Sequence, residues 1–110
     1  MHPRRGEVWW VAFDPSVGGE IQKTRPAIIV SNNGANQALN RFIAVPLTSQ
    51  ITKVFPGQAV VTLNGEPRKA MADQVTTASK ERLRSKLGEI SNSDIGSVER
   101  AILLHLAIRR

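Results

Sequence analysis

RGEVWWVAFDPSVGGEIQKTRPAIIVSNN, residues 5–33, is the stretch on which the fold turns. Val8-Trp9-Trp10-Val11-Ala12-Phe13 is a short unbroken apolar run, which predicts a strand from Glu7 to Phe13 with both faces covered. Adjacent side chains on a strand point to opposite faces. One of the two tryptophans therefore belongs in the core, and the other needs a helix, a loop or a second subunit over it. A polar loop with Gly18-Gly19-Glu20 follows, closed by Lys23-Thr24-Arg25-Pro26 and a second apolar strand, residues 27–30. Pro26 biases Arg25 toward extended backbone, and the strand beyond holds it there. A guanidinium is always charged and offers a planar fork of donors suited to phosphate. A Gly-Gly loop running into a strand-held arginine is a place to hold a phosphodiester.

Outward from this segment, Ser31-Asn32-Asn33-Gly34 is turn chemistry, and residues 35–39 are long enough for one helical turn. Residues 42–49 (FIAVPLTS) read as a third strand, in which Pro46 implies a bulge or an edge position. Pro56-Gly57 marks a tight turn before a strand over residues 58–63, and Asn64-Gly65 is a strong hairpin signal. Residues 70–77 (AMADQVTT) predict the next strand, residues 80–87 a short charged helix, and Gly88-Glu89-Ile90 a brief returning strand. Ser93 is the expected N-cap of a terminal helix, with Asp94 in its first turn. Ile95, Val98, Ile102 and Leu106 line one face of that helix. The pattern is mainly β, a small, strongly bent sheet or barrel closed by a C-terminal helix.

The chain has 110 residues, one domain (1–110) by length, with 41% hydrophobic residues. A net charge of +6 and a pI near 10.8 point to a polyanionic partner. Cysteine is absent, which removes disulfides, thiol catalysis and thiolate metal ligands together. No run approaches the length of a membrane span, and no apolar secretory region follows the basic start. The expectation is a cytoplasmic protein that does not engage membrane.

Of the two histidines, His2 lies at a terminus, and His105 falls on or beside the apolar face of the last helix, where packing or a subunit contact is its ordinary use. Asp14, Glu20, Asp73 and Asp94 show no helical pairing or His-x-x-x-His spacing, so no metal or other cofactor is expected, although a magnesium site built from distant carboxylates leaves little trace. Arg25 remains, with Lys23 two residues earlier. Its ordinary alternative is a surface pair with Glu20 or Glu7, worth about 0–1 kcal/mol. Thr48-Ser49 at a strand mouth and the polar pair Asp73-Gln74 in an apolar stretch tilt the reading toward a site.

These residues, in this order, resemble one family. Gly6-Glu7-Val8-Trp9, Asp14-Pro15, Gly19-Glu20, Lys23-Thr24-Arg25-Pro26, Ser31-Asn32, Val45-Pro46-Leu47-Thr48-Ser49, Asp73-Gln74, Lys80-Glu81-Arg82-Leu83, Gly88-Glu89-Ile90 and Leu104-His105-Leu106 look like the MazF/PemK toxin endoribonucleases of type II toxin–antitoxin modules. The resemblance implies an SH3-like barrel with appended helices and a two-fold homodimer. It also implies metal-independent cutting of single-stranded RNA at short sequences, leaving a cyclic phosphate and a 5′-hydroxyl. Arg25 and Thr48 match the positions used at the scissile phosphate, Glu20 a loop acid implicated in activity, and Gln74 the Asp-Gln pair near the RNA groove. Thr76 stands where many relatives carry a basic residue. Expected RNA contacts are Lys23, Thr24, Ser49, Gln74, Thr76 and Arg82.

A basic track of Lys23, Arg68, Lys69, Lys80, Arg82, Arg84 and Lys86 would follow the RNA backbone; its alternative is an ordinary solvated face. The family further implies a cognate antitoxin with an acidic, disordered segment. Two rivals stay open: a CcdB-like gyrase poison, whose C-terminal Trp-Gly-Ile is replaced here by Ala107-Ile108-Arg109-Arg110, and a non-catalytic RNA-binding module.

Overall fold

The computed structural model describes residues 2–13 and 23–109. Seven strands form one antiparallel sheet: β1 (Glu7–Phe13), β2 (Lys23–Ile29), β3 (Arg41–Thr48), β4 (Ala59–Leu63), β5 (Glu66–Ala70), β6 (Thr76–Ser79) and β7 (Leu83–Glu89). The order is β4-β5-β3-β2-β1-β7, with β6 also paired to β3. Two helices are appended, α1 (Asn33–Ala38) and α2 (Asn92–His105). Among the described residues no helix is long and apolar enough to cross a membrane.

The sheet is apolar on both faces, as the Glu7–Phe13 run requires. Val8, Ile28, Val45, Leu47, Val61 and Leu63 build one cluster, against which α2 packs Val98 and Ala101. Trp9, Val11, Ala27, Ile29, Phe42 and Leu83 build the other. Trp9 is the core tryptophan and donates its indole N–H to Glu7 Oε1 at 2.9 Å, while Trp10 is half-buried.

Pro46 is neither at an edge nor in a bulge. β3 pairs along one side with β6 over residues 41–44 and with β5 over residues 47–48, and Pro46 falls between the two partners. Its carbonyl accepts from Met71 N–H at 2.9 Å on that side. A strand residue points its N–H and C=O the same way, so the donor that proline lacks falls where the ladder changes hands.

Four other features differ from expectation. β5 starts immediately after Asn64-Gly65, at Glu66, although Pro67, Arg68 and Lys69 disguise it. Asn64 (φ 50°) and Gly65 (φ 82°) both adopt the left-handed backbone of a type I′ turn, and such a turn demands a partner strand at once. The expected strand over residues 70–77 is instead a 3₁₀ turn at Ala72–Gln74 followed by β6. The expected helix over residues 80–87 is a 3₁₀ turn at Lys80–Arg82 followed by β7; pairing with the outer edge of the buried β1 overrides the helical preference of its charged residues. The N-cap of α2 is Ser91 rather than Ser93: the Ser91 hydroxyl accepts from Asp94 N–H at 3.1 Å.

The curl brings the two ends of the strand order together. Asn64 Nδ2 donates to the Leu87 carbonyl at 3.1 Å, so the β4–β5 hairpin rests on β7. Gly88 permits this approach, since a Cβ there would lie 2.8 Å from Asn64 Oδ1. Asp94 Oδ2 accepts from Thr62 N–H at 2.8 Å, tying the outermost strand to α2.

Candidate active site

Arg25 lies in β2, extended and paired across β1 with Val11, as Pro26 leads one to expect. β2 and β3 pair Ala27 with Pro46, Ile28 with Val45 and Ile29 with Ala44. Continuing that register by two residues sets Arg25 opposite Thr48. Both line a cleft of about 510 Å³. β2 supplies Lys23, Thr24 and Pro26 beside Arg25, and the end of β3 supplies Leu47 and Ser49 beside Thr48. Lys23 has φ 64°, a left-handed conformation that costs a non-glycine residue energy and turns the chain sharply into the strand.

The opposite wall is the β4–β5 hairpin, with Leu63, Asn64, Glu66 and Arg68; Trp10 and Leu87 close the seam between β1 and β7. The cleft thus carries the cations Lys23, Arg25 and Arg68, a single described acid, Glu66, and an apolar floor. Thr48 Oγ1 accepts from Gln50 N–H at 3.2 Å. That bond uses an acceptor pair and leaves the hydroxyl proton to donate. A guanidinium and a hydroxyl donor lining one cleft form an arrangement suited to phosphate oxygens.

The other expected site residues that the structure describes lie outside this cleft, apart from Lys23, Thr24 and Ser49. Glu20, with Gly18 and Gly19, is outside the described residues. Gln74 does not line the cleft; its amide reaches Met71 Sδ at 3.8 Å. Thr76 lines a different groove, about 810 Å³, between α2 and the β3–β6 side of the sheet, together with Ile43, Ile102 and Leu106. Arg82 Nη1 donates to the Ala12 carbonyl at 3.1 Å, gripping the end of β1. Neither histidine lines the cleft. Among the described residues no three His, Asp or Glu side chains gather to form a metal-binding group.

The basic track is likewise broken up. Lys69 Nζ donates to the Lys53 carbonyl at 3.1 Å, Lys80 Nζ to the Gln37 carbonyl at 3.5 Å, and Arg84 Nη1 to the Glu81 carbonyl at 2.9 Å. Lys86 pairs with Glu89 at 3.0 Å and Glu7 at 3.1 Å; hydrogen bonds to Glu89 and then Glu7 raise its pKa. Burial pushes the Glu7 carboxyl up, but hydrogen bonds from Trp9, Arg4 N–H and Lys86, with the charge of Lys86, outweigh it and hold Glu7 below its usual 4.5. Glu7 is thus engaged away from Arg25. The residues that sequence reasoning missed at the cleft are Trp10, Asn64 and Glu66. For Asn64 and Glu66 the only signal was the Asn64-Gly65 turn, which announces a hairpin without saying which wall it forms; for Trp10 it was the paired tryptophans, one of which had to face away from the core.

The PemK-like, MazF-like toxin family of type II toxin–antitoxin systems matches residues 4–106. The chain is 37% identical to endoribonuclease MazF9 of Mycobacterium tuberculosis, over 94% of this chain and 95% of that one. It is 31% identical to the endoribonuclease toxin MazF of Escherichia coli K12, covering 91% and 90%. An endoribonuclease from a mycobacterial species, solved in complex with its cognate antitoxin, superposes with a TM-score of 0.80 at 26% identity, covering 98% of both chains. MazF from Deinococcus radiodurans shares the fold, with a TM-score of 0.84 at 23% identity over 97% of this chain and 98% of that one. The chain belongs to the PemK-like, MazF-like toxin family of type II toxin–antitoxin systems.

Proposed function

We propose that this chain, an endoribonuclease of that family, cuts single-stranded RNA at short sequences without a metal ion. The RNA supplies its own nucleophile. A ribose 2′-oxygen attacks the adjacent phosphorus, the O2′–P bond forms and the P–O5′ bond breaks. The products are a 2′,3′-cyclic phosphate and a 5′-hydroxyl, with one proton lost from O2′ and one gained at O5′. Arg25 offsets charge on the pentacoordinate phosphorane, a role worth about 3–4 kcal/mol for a preorganised donor. With a pKa above about 12 it cannot be the base. Thr48 donates to a non-bridging oxygen, and Glu20 takes the 2′-proton.

The observation that carries this reading is the convergence of Arg25 and Thr48 on one cleft that also presents Lys23, Thr24 and Ser49. The protein acts in the cytoplasm, where transcripts are. Its inhibitor is a cognate antitoxin with an acidic, disordered segment that folds over the cations and occludes Arg25; the mycobacterial complex supports such a partner. A two-fold homodimer covers apolar surface left open on this chain, where Ile43, Leu104, Leu106 and Ile108 are exposed.

The test is a defined single-stranded transcript incubated with protein in excess EDTA, beside a copy carrying 2′-deoxyribose at the mapped cut. The expected result is sequence-restricted cutting of the first and complete resistance of the second. Equal cutting of both overturns the internal-nucleophile scheme. Binding without cutting marks a non-catalytic module, and in a separate reaction with gyrase, DNA and magnesium, gyrase-dependent breaks mark a gyrase poison.

A further inference from the structure

The cleft holds one feature that phosphate binding does not explain. Glu66 is a carboxylate in a site otherwise built from Lys23, Arg25 and Arg68. Against a polyanion such a group is repulsive unless it meets a donor. β3 and β5 pair Thr48 with Lys69, and Glu66 lies three residues further along β5. At about 3.4 Å per residue that is roughly 10 Å from the Thr48 row, beyond the reach a proton-transfer group needs at the scissile phosphate. It is within reach of a nucleotide flanking that phosphate.

The curl of the sheet supplies the rest of a base pocket. The bond from Asn64 to the Leu87 carbonyl holds the hairpin tip against β7. β1 pairs with β7 on the far side of that contact, and Trp10 of β1 faces the same cleft, half-buried. An indole offers any base a face to stack on; the hairpin carboxylate supplies the choice among bases. A carboxylate only accepts hydrogen bonds. Guanine alone presents two adjacent donors, N1–H and the N2 amino group, on its Watson–Crick edge. Adenine and cytosine each offer one amino group beside an accepting ring nitrogen, and uracil one N–H between two carbonyls.

We propose that Glu66, with Trp10 as the stacking surface, reads a guanine immediately flanking the cleaved bond. The proposal deepens the ribonuclease reading above and rests on it.

Fragment ends mapped from a randomised single-stranded RNA pool should show guanine enriched at one flanking position. Replacing that guanine by inosine removes the N2 amino group and leaves the rest. The wild-type protein should cut the inosine copy about tenfold more slowly, as expected for loss of half a bidentate contact. Glu66→Ala, folded by circular dichroism, should cut the guanine and inosine copies at equal rates. A wild-type map without guanine preference, or a Glu66→Ala protein that keeps the wild-type guanine-to-inosine ratio, overturns the proposal. So does a folded Glu66→Ala protein that cuts nothing, since it moves Glu66 from reading to chemistry. Anisotropy on uncleavable 2′-deoxy oligonucleotides, guanine against inosine, reads the same preference without turnover. A wild-type protein that cuts no RNA therefore defeats the ribonuclease reading, while binding still decides this one.

Discussion

At the scale of single residues, Glu7 shows how the frame of the cleft depends on charge. Its carboxylate accepts from the Trp9 indole, the Arg4 N–H and Lys86, so its pKa in the fold is lowered. A lowered carboxyl contributes stability that is fully present above the ordinary value of 4.5 and is lost as pH falls through the lower value of the folded state. Glu7→Gln keeps an acceptor for Trp9 but removes the charge. Urea denaturation should therefore find the variant less stable than wild type near neutral pH, with the gap closing below pH 4.5. A gap that stays constant into acid would show that the carboxylate's ionisation contributes nothing.

Of the residues named from sequence, Arg25, Thr48, Lys23, Thr24 and Ser49 line one cleft, because a proline next to an arginine and hydroxyls at a strand end constrain the backbone locally. Gln74, Thr76 and Arg82 lie outside it. Their positions depend on the 3₁₀ turns at Ala72–Gln74 and Lys80–Arg82, which leave no periodic trace. Trp10 meets the site through the pairing of β1 with β2, where it lies opposite Pro26; Glu66 meets it only through closure of the sheet, a long-range event that no local pattern records.

At the scale of elements, α2 offers a clean comparison. The sequence pointed to Ser93 as its cap, yet it is the Ser91 hydroxyl that satisfies a helix-end donor, Asp94 N–H. Ser91→Ala should cost about 1 kcal/mol, while Ser93→Ala, inside the helix where alanine is the better helix former, should cost nothing, measured by urea denaturation. Equal losses would reassign the cap. The seam between hairpin and β7 makes a second prediction. A Cβ at Gly88 would meet Asn64 Oδ1 at 2.8 Å, so Gly88→Ala should displace Asn64 and break its bond to the Leu87 carbonyl. The expected cost is about 1 kcal/mol. Asn64 sits at φ 50°, where glycine is at ease, and in an Asn64→Gly background the Gly88→Ala penalty should shrink. A double-mutant cycle reads the coupling; strictly additive losses would mean that the side chain of Asn64 is not the obstacle.

The β architecture was legible wherever apolar runs or turn chemistry were strong: the strands around Trp9, Ile28 and Val45, and the turn at Asn64-Gly65. It was illegible over residues 66–89, where charged and proline-bearing strands are held by their neighbours rather than by their own preferences.

At the scale of the molecule, the charge of +6 overstates what RNA meets. Lys69, Lys80, Arg82, Arg84 and Lys86 lie outside the cleft, whose lining carries Lys23, Arg25 and Arg68. Three phosphate contacts to a single strand give a slope of log K against log salt of about −2, whereas the seven cations of a continuous track would give about −5. Anisotropy with an uncleavable strand between about 50 and 200 mM salt separates the two. A slope near −5 per cleft would restore the track.

The central claim is that Arg25, held by β2 opposite the end of β3, neutralises the phosphate as the strand breaks itself. The direct measurement is the single-turnover cleavage rate of Arg25→Ala on a mapped RNA, with EDTA present and the strand saturated with protein. A loss of about 10²–10³-fold, with an unchanged unfolding midpoint, is the predicted result. A folded Arg25→Ala protein that cuts at the wild-type rate would contradict it.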